Sequence, residues 1–202
     1  MQFDTIIDRR GSGSIKWDRR PELDPYWVAD MDFTSPPCIL EAVQKRLEHG
    51  ILGYAQPHES LTEAVLAYLQ RTHAATLCPD QLVHLGGLVP ALSLAARGFT
   101  KPGDALMTCT PVYYPFLGVG KDAQIETIAI PHIQVDGRWT FDFAAMEQQV
   151  TAKTKIFLLC NPQNPLGRSF TKEEILKVAE FCQRHDLVLV SDEIHCDLVF
   201  NE

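Results

Sequence analysis

Hydrophobic positions in the first third of the chain recur at helical spacing. From residue 82 onward they bunch into short runs divided by glycine and proline turns. Ile39, Leu40, Val43 and Leu47 form one stripe behind Ser35-Pro36-Pro37, where proline suits a first helical turn, and Gly50 supplies a stop. Leu61, Val65, Leu66 and Leu69 mark a second amphipathic helix. Ahead of both, residues 8–18 (DRRGSGSIKWD) are polar and rich in Gly and Ser, which predicts an irregular surface arm. Residues 25–33 (PYWVADMDF) are aromatic and end in two acids, which predicts a loop that packs against something.

The later runs read as strands at 82–85, 105–109, 124–130, 155–160 and 187–190. Between them lie helices at about 89–97, 142–150 and 171–185, the last opened by a capping box of Thr171 and Glu174. Alternating strands and helices predict an α/β fold, a mostly parallel sheet with crossover helices, preceded by an N-terminal arm and helices. Ligands of such sheets sit beyond the carboxyl ends of the strands. Four turns gather there: Gly86-Gly87, Tyr113-Tyr114 between prolines, residues 161–167 (NPQNPLG), and residues 192–195 (DEIH). They offer an anion nest, a flat aromatic, amides and a carboxylate, a set that suits a flat, phosphorylated, cationic heterocycle.

Asp192 is the centre of that set, because a buried carboxylate needs a partner. Three partners compete. Mg²⁺ in a nucleotide hydrolase would need G-x-x-x-x-G-K-[ST]; the only Gly-Lys pair, Gly120-Lys121, is followed by Asp122 and has Pro115 where the first glycine belongs. A metal held by Asp192, Glu193 and His195 would need three neighbours to converge, although successive strand residues point to opposite faces. The third partner is the protonated pyridine nitrogen of pyridoxal phosphate (PLP). Simpler uses stand beside these: Asn-Pro commonly just makes turns, and Tyr54 by itself reads as a core aromatic.

Composition narrows the field. The 202 residues carry a formal charge of −8, which disfavours a general nucleic-acid binder, and 46% are hydrophobic, ordinary for a globular chain. No apolar run approaches a membrane span, and the first residues lack a signal pattern. Six cysteines at 38, 78, 109, 160, 182 and 196 include no C-x-x-C, as expected of a reduced, cytoplasmic protein.

N-P-x-N-P-x-G at 161–167 followed by S-D-E-I-H at 191–195 is similar to the fold-type I PLP enzymes, the aspartate aminotransferase superfamily. DRRGSGSIKWD, YWVADMDF, GLVPALSLAARGFTKPGD, TPVYYPF and SDEIHCDLVF resemble its MalY/PatB branch, the cystathionine β-lyase-like C–S lyases. The resemblance implies that Asp192 pairs with the pyridine nitrogen, Asn164 bonds the 3′ oxygen with His195 near it, and Tyr113 stacks on the ring. Gly87, Leu88 and Val89 would bind the phosphate through backbone N–H groups, and Tyr54 would reach the phosphate of the other subunit of a homodimer. Ala29 and Asp30 would lie near the substrate carboxylate. Residues 1–50 would be an arm and helix contributing to a small domain, and 51–202 an incomplete PLP-binding large domain.

The implied reaction is β-elimination on a cystathionine- or cysteine-type amino acid, giving a thiol, pyruvate and ammonia. An aminotransferase, or a non-catalytic regulatory use of the fold, are the rivals; some members of the branch are thought to bind transcription regulators. No nucleic acid or membrane is expected as a partner. None of the eight lysines matches the family's Schiff-base lysine, which would lie beyond Glu202. A chain ending there is expected to be inactive alone, and poorly soluble because one sheet edge is open and the 82–85 strand lacks a partner.

Overall fold

The computed structural model describes residues 3–200. Contacts divide the chain into two units, Met1–Ala64 and Val65–Glu202. In chain order the elements are α1 (Ile15–Asp18), α2 (Pro37–Leu47), α3 (Glu59–His73), α4 (Leu88–Phe99), β1 (Ala105–Thr110), α5 (Pro115–Ala123), β2 (Glu126–Pro131), β3 (Ile133–Val135), β4 (Arg138–Thr140), α6 (Phe143–Gln149), β5 (Thr154–Cys160), α7 (Lys172–Arg184) and β6 (Val188–Asp192).

The first unit is organised by charge rather than by a core, since no described residue of 3–64 is fully buried. Asp32 takes Arg9, Lys16 and the Trp17 indole N–H, each at 2.7 Å. Hydrogen bonds from Lys16, then Trp17, then Arg9 hold its carboxyl far below the usual carboxylate range. Arg9 also reaches Asp30 at 2.7 Å. Both oxygens of Asp18 accept backbone N–H groups, from Gly11 and Gly13, each at 2.7 Å. Those glycines sit at φ 73° and 81°, where a side chain would be strained. Residues 8–18 are therefore not the irregular arm that their composition predicts. Their glycines wrap the Asp18 carboxylate, and α1 follows directly. α2 starts at proline as expected and runs to Leu47. Its stripe of Ile39, Leu40, Val43 and Leu47 remains about half exposed.

The second unit holds a four-stranded parallel sheet in the order β2-β1-β5-β6. β1 and β5 occupy the centre and are almost wholly buried. Alternation along each strand divides the core into two layers, an upper one on the α4 and α5 side and a lower one on the α6 and α7 side. Ile156, Leu158 and Cys160 join Leu106, Leu92 and Ala96 of α4, and Phe116 and Val119 of α5, on one face. Phe157 and Leu159 join Met107, Met146 of α6, and Val178 and Phe181 of α7, on the other. Helices thus cover both faces, and each of β1 and β5 reads as a continuous apolar run for that reason. The α7 cap is formed as expected: Thr171 Oγ1 accepts from Glu174 N at 3.2 Å, and Glu174 accepts from Thr171 N at 2.7 Å.

Three expectations fail locally. Among the described residues, 82–85 form no strand, and Val83 and Leu85 are exposed. β6 is only partly buried, because it is a sheet edge among the described residues rather than an interior strand. The loop after Tyr114 turns at once into α5, with Pro115 as its first residue. An additional hairpin, β3–β4, closes through Asp136 and Gly137 at φ 51° and 76°.

His132, between β2 and β3, is buried in the lower layer. Its Nδ1–H donates to Thr140 O at 3.1 Å, so Nε2 is left to accept from Gln163 Nε2 at 2.9 Å. Burial, assisted by Arg168 and opposed by Thr140 and Glu174, holds its pKa below 6.5. A folded-state pKa depressed below the unfolded value means that the unfolded chain takes up a proton which the folded chain refuses. The resulting stability is present above about pH 6.5 and is lost as pH falls through the folded value. Denaturant midpoints of the full-length protein should therefore fall between pH 7 and 5, and His132→Gln should flatten that slope; an unchanged slope would contradict the assignment. Gly120 of α5 faces β2, where an added Cβ would lie 2.1 Å from Thr127 Oγ1 and 2.9 Å from Ile125 O. Because one obstacle is backbone, Gly120→Ala should destabilise by about 1–3 kcal/mol despite alanine's better helix propensity, measured as a shift in denaturant midpoint.

Candidate functional site

The strand order fixes where a ligand can enter. β1 continues into β2 on one side, and the chain then returns to β5 on the other side of β1, so the loops leaving β1 and β5 diverge toward opposite faces. A crevice opens between such loops at the carboxyl edge. The loop after β1 carries Tyr113, and the loop after β5 carries Asn161, Gln163 and Asn164. β6 adds Asp192, which stands opposite Cys160 in the ladder.

Backbone and side-chain bonds lock these loops together. Asn161 N donates to Asp192 O at 3.0 Å, and Asn161 Oδ1 accepts from Phe170 N at 3.0 Å. Asn161 is thus used as a turn-maker. Asn164 is different: its side-chain amide has no protein partner among the described residues, and it lines a cavity of about 550 Å³ with His195, Arg138 and Arg168. The Asp192 carboxylate accepts from Ile194 N at 3.1 Å, which folds the 192–195 turn back on itself. That carboxylate borders a second, more apolar cavity of about 660 Å³, shared with Leu88, Leu92, Val190 and Ile194.

α4 begins at Leu88 with no side chain capping it, and Gly87 at φ 158° precedes it. Pro90 has no N–H to offer, so the free donors of the first turn are backbone groups at Gly87, Leu88 and Val89. Such a terminus favours an anion without any lysine or arginine. Tyr113 is partly buried against the upper core layer, while the neighbouring Tyr114 ring, 5.2 Å away, is largely exposed.

Gln163 is the residue that sequence reasoning passed over. It is buried; its Nε2 donates to Pro111 O at 3.2 Å and to His132 Nε2 at 2.9 Å, and its Oε1 is buried without a partner. Turning the amide over would set oxygen against the Pro111 carbonyl, so the orphaned oxygen follows from the two donor bonds. Gln163 thereby ties the Tyr113 loop to the Asn164 loop. The signal available was its place as the middle residue of N-P-x-N-P. Arg168 closes the other end of the loop, pairing with Glu174 at 2.5 Å under the Trp139 carbonyl. Burial raises the Glu174 pKa, but bonds from Thr171, Thr140 and Arg168 outweigh it and hold the carboxyl below its usual range.

In the second unit Asn164 and His195 line one cavity and Leu88 and Asp192 the other, with Gly87 and Val89 flanking Leu88 at the start of α4 and Tyr113 on the loop that leaves β1. In the first unit Tyr54 is fully exposed, Ala29 is exposed, and the Asp30 carboxylate is taken by Arg9. Among the described residues one group of three potential metal ligands has its donor atoms close together, and it includes none of Asp192, Glu193 and His195. The gathered donors are backbone N–H groups, a flat aromatic, an unspent amide and a carboxylate. That chemistry fits a flat heterocycle bearing a phosphate and a protonated nitrogen.

Comparison with known proteins agrees with the fold and the branch. The chain is 40% identical over 206 residues to the cystathionine beta-lyase PatB of Bacillus subtilis (strain 168), covering 98% of this chain and 53% of that protein. It is 32% identical to the protein MalY of Escherichia coli (strain K12), covering 100% of this chain and 54% of that one. The crystal structure of cystalysin from Treponema denticola, which contains a pyridoxal 5′-phosphate cofactor, superposes with a TM-score of 0.91 at 37% identity, covering 99% of this chain and 53% of that one. The chain thus spans about half the length of the relatives it matches. Residues 28–202 match the family described as aminotransferase class I and II, and the chain belongs to that family.

Proposed function

We propose that the protein carrying this chain is a PLP-dependent carbon–sulfur β-lyase acting on cystathionine- or cysteine-type amino acids, and that this chain supplies most of the cofactor cradle. The observation that carries the reading is the carboxylate of Asp192 at the end of β6, which borders a cavity together with Leu88 at the uncapped start of α4.

Each residue then has a task. The N–H groups of Gly87, Leu88 and Val89 hold the phosphate. Tyr113 would pack against the ring, and Asn164, with His195, would hold its 3′ oxygen. Asp192 would be the partner of the ring nitrogen. When bound, the cofactor supplies an electron sink that makes removal of the substrate's α-proton feasible. Ala29 and Asp30 contribute toward the substrate carboxylate through their backbone, since Arg9 occupies the Asp30 side chain. Tyr54 serves the phosphate site of a second subunit, which makes the working form a homodimer. The lysine that moves the proton comes from the half of the full-length protein outside this chain. The six unpaired cysteines and the absence, among the described residues, of a helix long and apolar enough to cross a membrane support a cytoplasmic setting.

In the full-length protein, Asp192→Asn should lower kcat for β-elimination at least about 100-fold, the order lost when a preorganised charge at a reacting centre is removed. Near-normal turnover would remove Asp192 from the mechanism. The family's name favours transamination as the second reading. Incubation with cystathionine should yield pyruvate and ammonia in equal amounts; transfer of the amino group to an added keto acid, without ammonia, would select the aminotransferase instead.

A further inference from the structure

A cluster of metal-binding side chains lies outside this cradle. His73 is the last residue of α3, and Cys196 and Asp197 open a 3₁₀ turn, Cys196–Leu198, that follows β6. Cys196 Sγ lies 3.9 Å from His73 Nε2 and 3.9 Å from Asp197 Oδ1, and His73 Nε2 lies 3.4 Å from Asp197 Oδ1. Three atoms with those separations share a point in their plane about 2.2 Å from each, close to the roughly 2.0–2.3 Å of zinc bonds to nitrogen, oxygen and sulfur.

We propose that His73, Cys196 and Asp197 form a zinc site, with solvent in the fourth position. The donor set selects the ion: a thiolate and an imidazole disfavour calcium and magnesium, which take oxygen ligands, and the mixed set with one carboxylate suits Zn²⁺. The ligands are also held from behind. Tyr68, on α3, donates its hydroxyl to Asp197 Oδ1, and its ring meets that of His73 edge-on at 5.7 Å and 73°. One residue therefore orients two of the three ligands, the arrangement that metal sites use to fix their donors.

An ion pair between His73 and Asp197 would explain one of the three contacts. Weak hydrogen bonds of the thiol would explain the other two, whereas one ion accounts for all three contacts together. Binding replaces the thiol proton, so that Zn²⁺ and Cys196–SH give a zinc–sulfur bond and one released proton. Because Cys196 follows His195 directly, an occupied site would tether the 192–195 turn to the C-terminal end of α3. Its role is structural, setting where Asp192 and His195 stand.

The test is a zinc titration of the full-length protein, chelator-stripped and kept reduced, against a chromophoric competitor. Wild type should take up one tight equivalent. Cys196→Ser and His73→Ala should abolish it, Cys78→Ser should retain it, and Tyr68→Phe should weaken it by about 10- to 100-fold. Cobalt(II) added in place of zinc should give a near-ultraviolet sulfur-to-cobalt band that Cys196→Ser lacks. Zinc uptake that is equal in wild type and a His73→Ala/Cys196→Ser double variant overturns the proposal, as does a wild type that binds none. These readings use no substrate, so they stand apart from whether the protein is a lyase.

Discussion

The pairing of β5 with β6 is the constraint on which the site depends. β5 is buried along nearly its whole length, so each of its backbone groups must find a partner in the ladder or leave a costly orphan. The ladder meets that demand with a register that sets Cys160 against Asp192, and the next bond, Asn161 N to Asp192 O, carries it one residue past the strand. The position of the Asp192 carboxylate is therefore not a loop accident. A slip of one residue would turn Val188 and Val190 out of the upper core layer and move the carboxylate to the other face.

Past the strands, the loops need a second device, and Gln163 provides it. A buried amide with an orphaned oxygen costs on the order of 1–3 kcal/mol, a large fraction of a domain's stability. Its two donor bonds offset this by joining Pro111 of one loop to His132, whose other nitrogen is anchored at Thr140. Rings of Phe141 and Phe170 flank His132 at 5.3 and 5.6 Å, and burial there disfavours the charged imidazolium. Rigidity of the Tyr113 and Asn164 loops thus comes from one polar chain sunk in an aromatic layer. The aromatic layer is in turn what makes the chain's geometry unambiguous.

Much of the fold could be read from residue order because local signals and tertiary demands coincide there. β1, β5 and α7 carry apolar runs or a capping box that no alternative structure satisfies as well. Elsewhere they part. The Tyr113-Tyr114-Pro115 run looks like a stiff loop, yet Pro115 is also a suitable first residue for α5. Asp136-Gly137 was a legible hairpin signal, but the strands that it joins are only three residues each, too short for a periodicity to show. Residues 82–85 have strand composition, but a strand exists only with a partner, and composition cannot report one. The Asp18 and Asp32 networks were out of reach for another reason: bonds from Arg9 and Lys16 join segments by charge, which leaves no periodicity to find.

The site itself is marked by hydrogen-bonding capacity that the fold leaves unspent. Asn161 and Asn164 are three residues apart in one loop and look equivalent in sequence. Asn161 is consumed by Phe170 N, whereas Asn164 keeps its amide free at a cavity wall. The same contrast separates Asp32, surrounded by three donors, from Asp192, which accepts one backbone N–H and faces a cavity. It separates α7, closed by Thr171, from α4, left open behind Gly87. Folding has every incentive to pair polar groups that it can reach, since each unpaired one near the core lowers stability. An amide and a helix start that go unpaired, and a carboxylate that takes only one backbone N–H, along one sheet edge therefore point to a polar ligand as the missing partner, and that argument holds whichever reaction the full-length protein performs there.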